Sequence, residues 1–115
     1  MIGKEKYILA IDLGTSGPKS VIISTGGDVV DSEFMDVPLQ LFPGGGAEQD
    51  PDDWWNAIMA TSKKALAKKL VSAGDIVAVS CTSQWSGTVP VDEQGNHLMN
   101  AIIWYDTRGA RYLKD

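Results

Sequence analysis

One stretch near the start of the chain has the composition of a phosphate site: Asp12-Leu13-Gly14-Thr15-Ser16-Gly17-Pro18-Lys19. Gly14 and Gly17 let backbone N–H groups approach an anion with no side chain in the way. Thr15 and Ser16 add hydroxyl donors, and Lys19 adds a positive charge. Asp12, at the end of an apolar run, is placed to hold a magnesium ion directly or through waters. Together these groups could position a triphosphate and neutralise it during transfer. The same residues also make an ordinary tight hairpin turn, for which Gly, Ser, Thr and Pro are the usual choices. Neither Gly-x-x-x-x-Gly-Lys-Ser/Thr nor a Gly-x-Gly-x-x-Gly opening a helix is present. Composition alone leaves both readings open.

Other chemistry is sparse. The single cysteine, Cys81, excludes an internal disulfide and fits a reducing, cytoplasmic compartment. It lies in the apolar run Ile76 to Cys81 and is expected to be a small buried thiol. His97 is the only histidine that could activate it. A net charge of −5 argues against nucleic acid as a partner. Lys63, Lys64, Lys68 and Lys69 are the one basic cluster and read as a solvated helix face. The apolar stretch before Asp12 is too short for a signal-peptide core or a membrane span.

The elements that must position the turn follow from periodicity. The 115 residues suffice for one modest core. Tyr7 to Ile11 reads as a strand covered on both faces, Lys19 to Ile23 as a second and Val29 to Val37 as a third. Their short connections predict an antiparallel meander. Leu39 to Glu48, with Pro43, Gly44, Gly45 and Gly46, reads as a loop. Asp50 as cap and Pro51 at the first helical position predict a helix running to about Ala73, stopped by Gly74. Trp55, Ile58, Met59, Leu66 and Leu70 would form its inner face, and at least one of Trp54 and Trp55 would anchor it to the sheet. Ile76 to Cys81 follows as a buried strand. A short hairpin is expected around Asp92 to Asn96, and Ala101 to Tyr105 as a last strand. Asp106 and Thr107 would open a further helix. The whole is an α/β pattern.

A strand ending in Asp-Leu-Gly-Thr-Ser-Gly, with Lys on the next strand, resembles the first phosphate motif of the actin, hexokinase and heat-shock ATPase superfamily. Three more segments narrow this. Glu48-Gln49-Asp50-Pro51 with Trp54-Trp55 resembles the helix entry of FGGY-family carbohydrate kinases. Val79 to Gln84 with Gly87-Thr88 resembles their strand into the sugar site, and Trp104-Tyr105-Asp106-Thr107-Arg108 resembles their Trp-x-Asp-x-Arg segment. The resemblance implies part of a ribonuclease H-like lobe. It would comprise a three-stranded antiparallel meander, a long helix, a further buried strand and a hairpin.

It also implies ATP and magnesium as cofactors, approached by Asp12, Gly14, Thr15 and Lys19 with Ser16 nearby, and Asp12 as the metal ligand. Trp85, Ser86, Trp104 and Asp106, with Gln84, would meet a small sugar or polyol. That suits a substrate with apolar C–H faces and a rim of hydroxyls. Arg108 would make a structural salt bridge.

Three departures matter. Gln84-Trp85-Ser86-Gly87 stands where glycerol kinases usually read Gln-Arg-Glu and xylulokinases Gln-Met-His-Gly. The pocket is therefore closer to the xylulokinase type, with pentulose, hexulose, polyol or sugar acid all open as substrates. Pro18 removes an N–H from the phosphate turn, which would weaken nucleotide binding if that group binds phosphate or closes the hairpin. Finally, the family's general-base aspartate, adenosine motifs and second lobe are expected beyond Asp115. The expectation is an incomplete amino-terminal domain, inactive alone, that exposes apolar surface or self-associates. A glycerol, other polyol or sugar-acid kinase of the same family is one alternative, and a non-catalytic relic or sugar-binding fragment is the alternative of another class.

Overall fold

The apolar run at Tyr7 becomes the centre of a sheet. In a computed structural model describing residues 5–113, the strands are β1 (Tyr7–Leu13), β2 (Pro18–Ser24), β3 (Val29–Phe34), β4 (Gln40–Phe42) and β5 (Gly46–Gln49), followed by β6 (Ile76–Ser83) and β7 (Ala101–Ile102). Helix α1 (Pro51–Ala67) lies between β5 and β6, and short 3-10 turns occupy Ala73–Asp75 and Ala110–Tyr112. The main sheet has the order β3-β2-β1-β6, and a smaller one the order β4-β5-β7. The predicted meander is present: β1 with β2 and β2 with β3 are antiparallel. β6 pairs parallel to β1, which requires a crossover, and α1 lies within it. Asp12 stands beside Thr82 and Leu13 beside Ser83, so the ends of β1 and β6 are level with the start of β2.

Helix α1 begins as its sequence dictates. The Asp50 side chain accepts from the Asp52 N–H, Pro51 occupies the first turn, and Asp52 and Asp53 favour the positive end of the dipole. It ends earlier than Ala73, at Ala67, because Lys69 turns left-handed at φ 55°. Gly74 lies instead in the 3-10 turn.

The buried face also differs from the predicted one. It is made of Ala57, Thr61, Ser62 and Ala65, while Trp55 is 61% exposed and Leu70 is exposed too. Small residues let the helix come close to β2, and the core beneath it is Leu9, Ile22 and Ala65. The buried hydroxyls are paired: Ser20 Oγ lies 2.8 Å from Thr61 Oγ1 and 3.0 Å from Ser62 Oγ. Thr61 donates back to the Ala57 carbonyl at 2.8 Å, so no lone hydroxyl is buried here at full cost. Of the helix lysines, Lys64 and Lys68 are tied to β3 rather than merely solvated. Lys64 meets Glu33 at 2.6 Å, and Lys68 meets Asp31 at 2.7 Å and Glu33 at 2.6 Å.

Other expectations are corrected. The segment Leu39 to Glu48 is the β4–β5 hairpin, with Gly44 and Gly45 at positive φ in its turn. β3 stops at Phe34, and β7 at Ile102, one residue before a last bond from the Ile103 N–H to the Ala47 carbonyl of β5 at 3.2 Å. β6 forms as predicted but is not buried: Val79 is 66% exposed and Cys81 is an exposed free thiol. The reason is position. β6 is the sheet edge, and α1 packs over β2, β3 and β1. The run from Asp106 makes turns and the 3-10 segment rather than an α-helix. The Asp92 to Asn96 turn is present, closed by Asp92 N–H to the Asn96 carbonyl at 2.9 Å. Among the described residues no helix is long and apolar enough to cross a membrane.

Candidate functional site

The level strand ends gather the predicted residues at one end of the main sheet. Asp12 and Lys19 are directly opposite on β1 and β2, so both side chains leave the same face, and both are exposed. No ion pair joins them among the described residues. The turn between them is closed by Gly17 N–H to the Gly14 carbonyl at 3.2 Å. Closure therefore does not call on the N–H that Pro18 lacks. The carbonyl of Ser16 is taken by Val37 N–H at 2.9 Å, while Ser16 itself is exposed. The N–H groups of Thr15 and Ser16 meet no acceptor among the described residues and point to the donors an anion would find.

The two glycines of the turn have different jobs. Gly17 has φ +149°, and a Cβ there would sit 1.9 Å from the Met35 carbonyl oxygen. Its requirement comes from close packing against the strand neighbour. A Cβ at Gly14 would meet only the Gly17 carbonyl oxygen at 3.4 Å, an ordinary contact.

A hydrogen-bonded ring ties this turn to the residues of the proposed sugar wall. Gln49, at the end of β5, is 0% exposed. Its Nε2 donates to the Thr15 carbonyl at 2.8 Å and the Pro38 carbonyl at 3.3 Å. Its Oε1 accepts from Trp54 Nε1 at 3.2 Å and Gln84 Nε2 at 2.9 Å. Thr15 Oγ1 donates to Gln84 Oε1 at 3.2 Å and accepts from Trp104 Nε1 at 2.8 Å. The structure thus brings together Thr15, Gln84 and Trp104, which lie far apart in sequence. Trp54 is the anchoring tryptophan, packed on the cluster Ala47, Ala101 and Ile103.

The remaining predicted residues are placed differently. Trp85 is 75% exposed on the loop after β6, beside Ser86 at φ 55°, a left-handed conformation rare outside glycine. A cavity of about 220 Å³ next to them is lined by Leu13, Trp54, Ser83, Gln84, Gly87 and Val89. Trp104 is 42% exposed and stacks on Tyr105, with centroids 4.0 Å apart. Asp106 faces the protein. Its carboxylate accepts from the Ala47 N–H at 2.9 Å, the Arg108 N–H at 3.0 Å and Arg108 Nε at 2.8 Å. The Arg108 guanidinium, with the Ala47 N–H, holds its carboxyl well below the usual range, at about 2. Arg108 also reaches Glu48 at 2.6 Å, as expected of a structural bridge, and its own pKa is raised. A larger hollow of about 290 Å³ beside Arg108 and Arg111 holds no predicted site residue.

As for metal, Asp12 supplies one exposed carboxylate at the turn. That fits magnesium, which usually keeps waters and leans on phosphate oxygens rather than on an all-protein cage. Asp50, Asp52 and His97 also bring ligand atoms within 4.8 Å of one another. They sit at the α1 N-terminus, whose dipole opposes a cation, and His97 is held by Asp52 at 3.4 Å, which raises its pKa.

Comparison with known proteins bears on the whole arrangement. Residues 7–115 match the N-terminal domain of the FGGY family of carbohydrate kinases. The chain belongs to that family. It is 32% identical over 109 residues to the xylulose kinase of Staphylococcus xylosus, covering 95% of this chain and 22% of that protein. It is 38% identical over 104 residues to the glycerol kinase of Delftia acidovorans, covering 89% of this chain and 21% of that protein. The crystal structure of gluconate kinase from Lactobacillus acidophilus superposes with a TM-score of 0.84 at 28% identity, covering 95% of this chain and 22% of that one. This FGGY chain thus has the α/β architecture of the N-terminal lobe of actin- and hexokinase-like kinases. It spans about a fifth of the length of these relatives.

Sequence reasoning missed the role of Gln49. By its sequence Glu48-Gln49-Asp50-Pro51 reads only as a helix entry. A long polar residue just before the cap is a signal that a buried amide needs partners, but it does not say which.

Proposed function

We propose that residues 1–115 form an incomplete amino-terminal domain of an ATP-dependent carbohydrate kinase, which moves the γ-phosphate of ATP to a hydroxyl of a small sugar or polyol. The observation that carries the reading is the Trp104–Thr15–Gln84 chain, which joins the sugar-side tryptophan and amide to the phosphate turn. In this reading the Thr15 and Ser16 N–H groups and Lys19 meet the phosphates, with Gly14 leaving room. Asp12 would hold magnesium, directly or through water. Trp104 and Trp85 cover the sugar's C–H faces, and Gln84 and Ser86 bond its hydroxyls. Asp106 acts indirectly: it fixes the turn after Trp104 through Ala47 and Arg108. When bound, magnesium supplies charge neutralisation on the transferred phosphoryl group.

Gln84 and Gly87 favour a xylulokinase-like substrate. Trp85 and Ser86 stand where a glycerol kinase usually has a charged pair, which speaks against glycerol. The acceptor hydroxyl loses its proton to an aspartate outside these residues. We place the protein in the cytoplasm, with no nucleic-acid or membrane partner. The bare edge of β6 is where two copies of the chain would associate.

The test is coupled ADP release from ATP and magnesium with D-xylulose, glycerol and D-gluconate. The complete polypeptide should turn over one of them, and the 115-residue chain none. No turnover of any by the complete polypeptide, with intact folding, would favour a sugar-binding relic.

A further inference from the structure

We infer that Gln49 is a positioning residue that makes the sugar-side amide and the phosphate turn a single unit, so that sugar and nucleotide each tighten the binding of the other. The inference rests on the kinase reading above and adds a residue and a property to it. It follows from which partners have only one role. An indole N–H can only donate, and a backbone carbonyl can only accept. Trp54 therefore fixes which end of the Gln49 amide is oxygen, and the Thr15 and Pro38 carbonyls fix which end is nitrogen. With both ends decided, Gln84 must present Nε2 to Gln49 and Oε1 to Thr15. Thr15 must then spend its one hydroxyl proton on Gln84, and the oxygen is left to accept from Trp104. Every step is forced, and the first is Gln49.

Two consequences follow. The Thr15 hydroxyl cannot donate to a phosphate while the ring is intact, so the turn offers phosphate its backbone N–H groups. Equally, Gln84 cannot flip its amide, so a sugar hydroxyl always meets the same remaining N–H and lone pair. The Gln49–Thr15 bond is made to the backbone of the turn itself. A sugar that steadies Gln84 or Trp104 thereby steadies the turn that phosphate must find ordered. The ordering cost is then shared between the two ligands, which is positive coupling. Gln49, being 0% exposed, can act only through its neighbours.

The test uses the complete polypeptide. The Kd of a non-hydrolysable ATP analogue with magnesium is measured by calorimetry, with and without a saturating sugar. D-xylulose, glycerol and D-gluconate are tried in turn. In the wild type, sugar should tighten nucleotide about 5- to 150-fold, the usual span of coupling between sites. Gln49→Met and Thr15→Val should each bring that factor to within about 2-fold of unity, and the double variant should go no further. A merely structural glutamine would lower the melting temperature and leave the coupling factor intact, which would overturn the inference. So would losses that multiply in the double variant. Should Gln49→Met fail to fold, Thr15→Val breaks the same ring at a half-buried position, and retained coupling there also overturns it. A wild type that binds both ligands without coupling overturns the inference alone. One that binds neither overturns the kinase reading as well.

Discussion

Asp12, near the end of β1, and Asp106, in the turns after β7, both belong to motifs that resemble kinase sites, and their surroundings are opposite. Asp12 is exposed and has no ion-pair partner among the described residues. Asp106 takes two backbone N–H groups and an arginine, and Arg108 is further held by Glu48. A carboxylate whose bonds are already filled is holding the fold. One left open beside unengaged N–H groups and an opposing lysine is available to a ligand. Motif membership does not separate the two cases, whereas the accounting of hydrogen bonds does.

The contrast can be broken by substitution. The largest effect is expected from Asp12→Asn in the active polypeptide. Phosphoryl transfer should fall by about 100-fold or more, since the carboxylate that would hold the magnesium is lost. Chemical denaturation should show stability unchanged within about 0.5 kcal/mol. Equal loss of stability would place Asp12 with Asp106. The two turn glycines give the next test. Gly17→Ala should cost about 2 kcal/mol or more, because its Cβ would meet the Met35 backbone at positive φ. Gly14→Ala should stay within about 1 kcal/mol in a urea titration.

Asp106→Asn should lower the melting temperature and flatten its acid limb. The folded pKa of Asp106 is depressed from 3.8 to about 2. Its contribution is therefore fully present above about pH 4 and is lost as pH falls through about 2. The variant and wild type should converge over that window, and a constant gap between them would show that the pairing is not what matters. The smallest effect is expected for Trp55→Ala, which should leave stability nearly unchanged, whereas Trp54→Ala should cost about 2 kcal/mol from lost packing and its bond to Gln49. Separately, light scattering across micromolar concentrations should show association through β6. A monomer throughout would remove that proposal.

Much of this was legible from local signals. Alternating and continuous apolar runs located β1, β2, β3 and β6, and Asp50-Pro51 located the start of α1. Other features were hidden for physical reasons. A Gly-Gly-Gly run reads as a loop, yet it is the tight turn that lets β4 and β5 pair. The inner face of α1 is built on small and hydroxylated residues, because the helix lies close to β2, and a hydrophobic period selects the larger side chains instead. The apolarity of β6 predicts burial, but burial depends on what packs above it. Within the site, the composition of the turn makes Thr15 a hydroxyl donor to phosphate. Only the long-range bonds to Gln84 and Trp104 show where its proton goes, and such bonds leave no periodic trace.

The parallel pairing of β1 with β6 has a consequence for how the chain comes into being. β1 can zip to β2 as soon as the first hairpin is made, since they are joined by a short turn. Its other edge faces Ile76 to Ser83, on the far side of α1. During synthesis that edge waits, unpaired and apolar, until the helix and β6 have emerged. Long-range parallel closure is slow, and an idle strand edge invites the wrong partner. Chaperone dependence and yield should therefore follow the interval between translation of Leu13 and of Ser83, and slow codons between them should lower the recovery of native protein.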